Sequence, residues 1–427
     1  MSLIVGGKNV RRRIRRNHFY FAIILILFAS IGVGYAALTS TISINGTTQI
    51  TSAKWDVHFA NVTKGANSVG ATSATLSDNN TTLTVSGINL TTLGAEYEVY
   101  VNVVNAGTID ANLSSLVKSS LTTAQQKYLT YTVTYAWNTP IKENDLLKAG
   151  SSETLRISIK YTDDKRLTPT TSQTIGPLTF SLKYVQDRGT GTARTKLCRR
   201  ATSLHTNSSI TYGQLGTSGT LASGDAFDCD VNGDGTYDAA TERFYYVTDL
   251  STNSKVAVLI YYGNSNSSGV SLGQRTPYYY NGSGNNYSGP ITASAQLPTT
   301  TAWPRVGLTQ RKVQIYNEAD GKTATISGST NVSHNLPLYT YKTAARLLTY
   351  QEYSKMTNTT VFLENLGGSY ASCLWLITPE ALGSGSIWAI KNPTGTTVNV
   401  EPVSASSTAT LCGVRPVIEV FKSDMTY

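Results

Sequence analysis

Between residues 39 and 185, apolar and polar side chains alternate in short runs: Thr39–Ile44, Lys54–Phe59, Thr81–Val85, Glu96–Val104, Leu129–Tyr135, Thr154–Tyr161 and Leu178–Tyr184. A period of two puts successive side chains on opposite faces, so each run predicts a strand with one face toward a core. Turns rich in Gly, Asn and Asp separate the runs, and this number of strands predicts an all-β sandwich of jelly-roll type. Within it one short helix is expected at Thr122–Tyr128, where a threonine cap precedes Ala-Gln-Gln-Lys.

The pattern changes after residue 185. Residues 186–197 are rich in Gly and Thr and lack alternation, which predicts a linker. From Cys198 onward strands are expected at Arg243–Thr248 and Lys255–Tyr262, joined by a hairpin at Asp249–Ser254. At Tyr341–Met356, Ala344, Ala345, Leu347, Leu348 and Tyr353 can share one helical face, so residues 198–427 read as an α+β domain.

The N-terminus carries a third pattern. No charged residue occurs from Phe19 to Leu38, and twenty helical residues span roughly 30 Å, the thickness of a bilayer core. Lys8, Arg11, Arg12, Arg13, Arg15 and Arg16 precede this run, so residues 1–38 read as a basic cytoplasmic tail and a signal or transmembrane helix that sends the C-terminus outward. Gly34 and Ala36 have the small-residue spacing of a signal-peptidase site with cleavage after Ala36; cleavage and retention as an anchor both stay open. Those six basic residues also change the meaning of the +9 net charge, since without them 29 Lys and Arg face 26 Asp and Glu. A balance of +3 with no basic stripe excludes nucleic acid as a partner. Only 14% of residues are charged, and the uncharged polar composition suits an extracellular β protein. An even set of cysteines in an exported chain reads as disulfides, and of three pairings Cys198–Cys229 with Cys373–Cys412 closes the two shortest loops.

The sharpest chemical motif is Asp230-Val-Asn-Gly-Asp-Gly-Thr-Tyr-Asp-Ala-Ala-Thr-Glu. Asp230, Asn232, Asp234, Thr236 and Asp238 fill positions 1, 3, 5, 7 and 9 of a calcium loop, with Gly235 at the sharp turn and Glu242 one residue beyond the usual bidentate glutamate. A strand follows instead of a helix, so the expectation is a structural calcium ion without an EF-hand; an ordinary Asp/Asn/Gly turn is the alternative. Tyr278, Tyr279, Tyr280 and Tyr287, set among Asn and Ser, are candidates for contact with a surface glycan or protein. The competing reading packs these rings inward, as it does Trp303, Trp375 and Trp388. No Gly-x-Ser-x-Gly, His-Glu-x-x-His or phosphate loop is present, His18, His58, His205 and His334 are isolated, and no catalytic residue is assigned.

Ser30–Leu38, Lys54–Phe59 and Val103–Ala111 together resemble the camelysin and biofilm-matrix fibre proteins of bacteria. That resemblance implies a secreted, signal-peptidase-processed sandwich, some members of the family forming polymers; protease activity is not carried over, because His58 stands alone in this region. Arg346–Tyr353, Cys373–Pro379 and Gly413–Val420 resemble formylglycine-generating-enzyme-like, C-type-lectin-like domains and, more closely, an uncharacterised branch of bacterial surface proteins ending in a Gly-Val-Arg-Pro strand. The enzyme uses a closely spaced cysteine pair, which Cys373 and Cys412 do not form in sequence. The expectation is a non-enzymatic surface or secreted adhesion or matrix protein, held to the membrane if its helix is uncleaved. A homopolymeric fibre subunit and a formylglycine-type enzyme are the alternatives.

Overall fold

The computed structural model describes residues 53–65, 68–69, 73–169, 175–207, 210–269, 278–309, 312–314, 338–357, 362, 373–379, 385–391, 399–406 and 412–427. The expected signal helix, Ala36 and the Thr39–Ile44 run lie outside these residues. Among the described residues no helix is long and apolar enough to cross a membrane.

The first nine strands are β1 (Val57–Lys64), β2 (Ser73–Leu76), β3 (Thr82–Ser86), β4 (Glu96–Asn105), β5 (Ala111–Lys118), β6 (Leu129–Tyr135), β7 (Asp145–Leu147), β8 (Ser152–Tyr161) and β9 (Leu178–Gln186). One sheet has the order β1-β4-β8-β6, and a second contains β7-β5-β9-β3-β2. Alternate residues of both sheets meet in one core: Tyr97, Val99, Val101 and Val103 of β4 and Leu155, Ile157 and Ile159 of β8 face Leu83, Val85, Leu178 and Phe180. Phe59 and Phe180 touch across the layers with ring centres 5.1 Å apart. This is a β-sandwich, as the alternation requires. The expected helix at Thr122–Tyr128 is a single 3-10 turn, Gln125–Lys127. The Thr122 and Gln125 side chains each accept the other's backbone N–H, a local closure that leaves Leu129 free to begin β6.

Beyond the sandwich, β10 (Thr192–Ala193) leads to β11 (Cys198–Arg200), β12 (His205–Asn207), β13 (Ile210–Tyr212), β14 (Ala226–Cys229), β15 (Arg243–Leu250) and β16 (Asn253–Tyr261). There follow β17 (Lys312–Gln314), β18 (Leu338–Thr340), β19 (Cys373–Pro379), β20 (Ser386–Lys391), β21 (Asn399–Ser404), β22 (Cys412–Gly413), β23 (Val417–Phe421) and β24 (Met425–Thr426). Two sheets, β23-β16-β15-β14-β11-β24 and β21-β20-β19-β22, share a core with Trp303, Trp375, Tyr245 and Phe362. Cys198 and Cys229 are directly opposed on β11 and β14 and are bonded; so are Cys373 and Cys412 on β19 and β22. All four are fully buried.

The helix expected over Tyr341–Met356 is one turn, α2 (Tyr350–Tyr353); α1 (Ile291–Ser294) is equally short. The described part of this region is therefore sheet-rich, without the long helix of the α+β expectation. Thr349 accepts the Glu352 N–H at 3.0 Å while Glu352 accepts the Thr349 N–H, a capping box that fixes the helix start at Tyr350. Before it, Arg346 bridges to Val417 and Leu348 to Leu376 in extended backbone. Ala344, Ala345 and Leu347 are apolar because that segment threads the core.

Arg346, 3% exposed, forks between two carboxylates, donating to Glu352 Oε2 at 2.8 Å and Glu419 Oε1 at 2.8 Å. Glu419 also accepts the Thr309 N–H at 2.8 Å. The Arg346–Tyr353 and Gly413–Val420 motifs thus meet through one guanidinium.

Sandwich and second region join through residues 186–197, where the sequence predicts a linker. β10 pairs in parallel with β7. Arg194 donates to Glu153 at 2.6 Å and Asp424 at 2.5 Å and lies 4.6 Å from the Tyr135 ring centre. Lys196 also reaches Glu153, and the hydroxyls of Thr154 and Ser423 are 2.9 Å apart. Residues 53–427 form one compact unit.

Removing Arg346 strands two buried carboxylates, so Arg346→Met is expected to destabilise the fold by about 3–5 kcal/mol. Urea unfolding followed by tyrosine and tryptophan fluorescence measures it; a loss below about 1 kcal/mol, the value of an exposed pair, would refute the assignment.

Candidate functional site

The Asp230–Glu242 loop is closed at its base, where the Cys229 N–H donates to the Glu242 carbonyl at 3.0 Å beside the Cys198–Cys229 bridge. Gly233 and Gly235 sit at φ of 78° and 85°, the left-handed conformation that the two tight turns require. Asp230 Oδ1 accepts the Gly233 N–H at 2.9 Å, and Asp234 Oδ1 accepts the Thr236 N–H at 2.8 Å and its hydroxyl at 2.6 Å. The Asn232 amide donates to Asp234 at 3.0 Å. Glu242 spans the loop, taking the Asn232 and Asp238 N–H groups at 3.4 and 3.1 Å.

Burial, with the nearby charges of Asp230 and Asp234 added, pushes the Glu242 carboxyl up to about 7. Asp234, exposed and hydrogen-bonded by Thr236, is held below the usual carboxylate range. Two of the expected ligands have other work. Asp230 is paired with Arg305, and Asp238 caps the next turn by accepting the Ala240 N–H at 2.8 Å and the Thr241 hydroxyl at 2.9 Å. Among the described residues no three His, Cys, Asp or Glu side chains gather into a metal cluster. That leaves the carboxylates of Asp234 and Glu242, the Asn232 amide and the Thr236 oxygens as the donors that a hard cation could use.

The tyrosine segment divides. Tyr280 is fully buried, edge-on to Trp375 at 5.9 Å, and its hydroxyl donates to the Ile377 carbonyl at 2.8 Å. It is a core residue and offers no face to a ligand, which corrects its place among the contact candidates. Tyr278 is half-buried, and its carbonyl accepts the Trp375 indole N–H at 2.7 Å. Tyr279 is exposed, Tyr287 lies in the 3-10 turn Asn286–Ser288 with its side chain outside the described residues, and so is the Arg275–Pro277 start of the segment. Asn281 and Asn286, both buried, tie the loop down through bonds to Asn285 and Ser386 carbonyls at 2.7 and 2.6 Å. Trp303 and Trp375 are core, and Trp388 packs on Tyr350 at 5.2 Å.

A third place was not foreseen. A cleft of about 560 Å³ opens where the outer face of the β1-β4-β8-β6 sheet meets the β15–β16 turn. Thr63, Asn102 and Thr154 form one wall, Asn253 and Lys255 the other, with Tyr100 and Phe421 packed 5.1 Å apart beneath. These residues are scattered over the chain, and no local motif announces them.

No family model, curated protein or solved structure matches this chain. The two resemblances therefore rest on the short motifs that carry them, and the site must be read from its own chemistry. Both disulfides fit an oxidising extracellular or periplasmic setting.

A raised carboxyl pKa means that the folded state holds a proton which the unfolded state, near 4.3, has already released. Stability should therefore fall as pH rises from about 4.5 through about 7. Glu242→Gln should flatten that fall, and calcium, by favouring the carboxylate, should oppose it in the parent protein. Thermal unfolding at pH 5 and pH 8, with and without calcium, checks both; identical pH slopes for parent and variant would contradict the loop electrostatics.

Proposed function

We propose that this chain is an exported, non-enzymatic bacterial surface or matrix protein that adheres to a glycan or protein ligand, its distal region a lectin-like module braced by disulfides and a calcium-holding loop. The observation that carries the reading is the placement of all four cysteines, fully buried and bonded across neighbouring strands, which suits a binding fold built for an oxidising exterior. Formylglycine-type oxidation draws on reactive thiols, so these bridges favour binding over that chemistry. The basic tail and uncharged run at residues 1–38 supply the export signal, with secretion or tethering decided at Ala36.

One feature favours the fibre reading as second choice. Among the described residues β6 ends its sheet with β8 as its partner strand, and its outer edge, closed at Tyr135 by the Thr139 carbonyl, is a place to which another copy's strand could add.

Full-length protein, purified from the cell envelope or medium, is expected to coat bacteria or immobilised glycans saturably and to lose part of that binding in a calcium chelator. Retention on neither cells, glycans nor itself would remove the adhesion reading. Regular filaments in electron micrographs, with no glycan or cell binding, would replace it with the fibre reading.

A further inference from the structure

We propose that the cleft between the sandwich and the β15–β16 turn is a binding site for a saccharide carrying a carboxylate, a uronic-acid oligosaccharide of a few units. Its volume, about 560 Å³, lies inside the range of small-ligand sites. Strand register puts its sandwich wall together: Thr63 opposes Tyr100 across β1 and β4, and Asn102 opposes Thr154 across β4 and β8, so all four side chains share the sheet's outer face. Asn253 and Lys255 face them from the turn.

The chemistry of those walls selects the ligand. The Thr154 hydroxyl is taken up by Asn102 Oδ1 at 3.1 Å and by Ser423, so the Thr63 hydroxyl and the Asn102 and Asn253 amides are the groups that face a ligand. Amides and hydroxyls both donate and accept, which matches the vicinal hydroxyls of a sugar ring. Tyr100 and Phe421, each 4% exposed, pack on one another as a firm floor beneath these walls and leave the contact with a ligand to the polar groups above. The lining contains two lysines and no Asp or Glu. Lys64 has its ammonium over the Tyr97 ring at 5.6 Å, which leaves the exposed Lys255 as the cation for an acidic substituent. One such cation suits a single carboxylate and is too little for a polyphosphate backbone. The walls are also held before any ligand arrives, by the Thr154–Ser423 contact at 2.9 Å and the Arg194 fork onto Glu153 and Asp424. Fixed walls spare the ligand the cost of ordering them.

The proposal needs neither export, calcium nor a cell surface, so its failure and that of the adhesion reading are separable. Calorimetric titration of the purified full chain with trigalacturonate, and with neutral galactotriose as control, tests it. The carboxylated trimer should bind saturably and about tenfold more tightly than the neutral one, the scale of one charge-assisted hydrogen bond. Lys255→Ala should erase that preference, bringing trigalacturonate affinity down to that of galactotriose for the same variant. Thr63→Trp should fill the cleft and abolish both; Thr252→Trp, from the opposite wall, repeats the test should the first variant fail to fold. No heat of binding for either sugar to the parent protein, undiminished binding by a folded Trp variant, or a preference that survives Lys255→Ala would each overturn the proposal.

Discussion

The molecule is organised by charge placed where water is excluded. In the β1-β4-β8-β6 sheet, β4 and β8 are buried on both faces, and the face turned from the sandwich core carries Glu98 and Arg156, 1% and 6% exposed. A charge in that position persists only with a partner at hydrogen-bonding distance. Arg156 supplies one by donating to Glu96 and Glu98, both at 2.5 Å. The same sheet presents Glu153 to Arg194 and Lys196, and Arg194 continues to Asp424 next to the C-terminus. A sandwich with an outer face of this kind is incomplete alone, and the second region completes it. Among the described residues the junction is made by forked ion pairs, the Thr154–Ser423 hydroxyl pair and the contact of Tyr100 with Phe421, and the cleft lies beside them.

The second region repeats the device. Arg346 joins two motifs distant in sequence, Arg243 pairs with Asp228 at 2.7 Å in full burial, and Arg305 crosses to Asp230 at the start of the Asp230–Glu242 loop. Arginine suits these positions because its planar fork can serve two carboxylate oxygens while remaining charged. Together with the cross-strand disulfides these pairs define which strands lie side by side. They also explain how so modest a share of charged residues bears so much of the architecture: many of those few are inside.

What could be read from the chain follows from how local each signal is. Strands with clean period-two alternation, β3, β4, β6, β8 and β9, sit where their patterns put them, and the β15–β16 hairpin does as well. β5 was not visible because a register shift between Leu113 and Ser115 breaks its alternation. β2 and β7, of four and three residues, are too short to show a period. Ala344, Ala345, Leu347 and Leu348, on either side of Arg346, imitate a helical stripe because an extended segment buried on all sides has no solvent-facing side to set a period. The disulfide pairing was legible from loop length, whereas the cleft was not, its walls coming from residues 63, 102, 154, 253 and 255. Tyr280 shows the limit from the other side: a Tyr-Tyr-Tyr run cannot say which ring turns inward until Trp375 and Ile377 are placed.

The loop and the cleft lie at opposite ends of one strand. β15 begins at Arg243, directly after Glu242, and ends at Leu250, which lines the cleft. Eight residues at about 3.3 Å each separate them by roughly 25 Å. Coupling over that distance would require an element with two arrangements. β15 is a poor candidate, since it is interior to a six-stranded sheet with β14 and β16 bonded on either side and most of its side chains in the core. Protonation of Glu242 therefore acts on how firmly the region is folded, while the cleft's polar lining, residues 63, 102, 253 and 255, is held from the sandwich and from the far end of the strand pair. Two features that share a strand are, on these grounds, energetically separate sites.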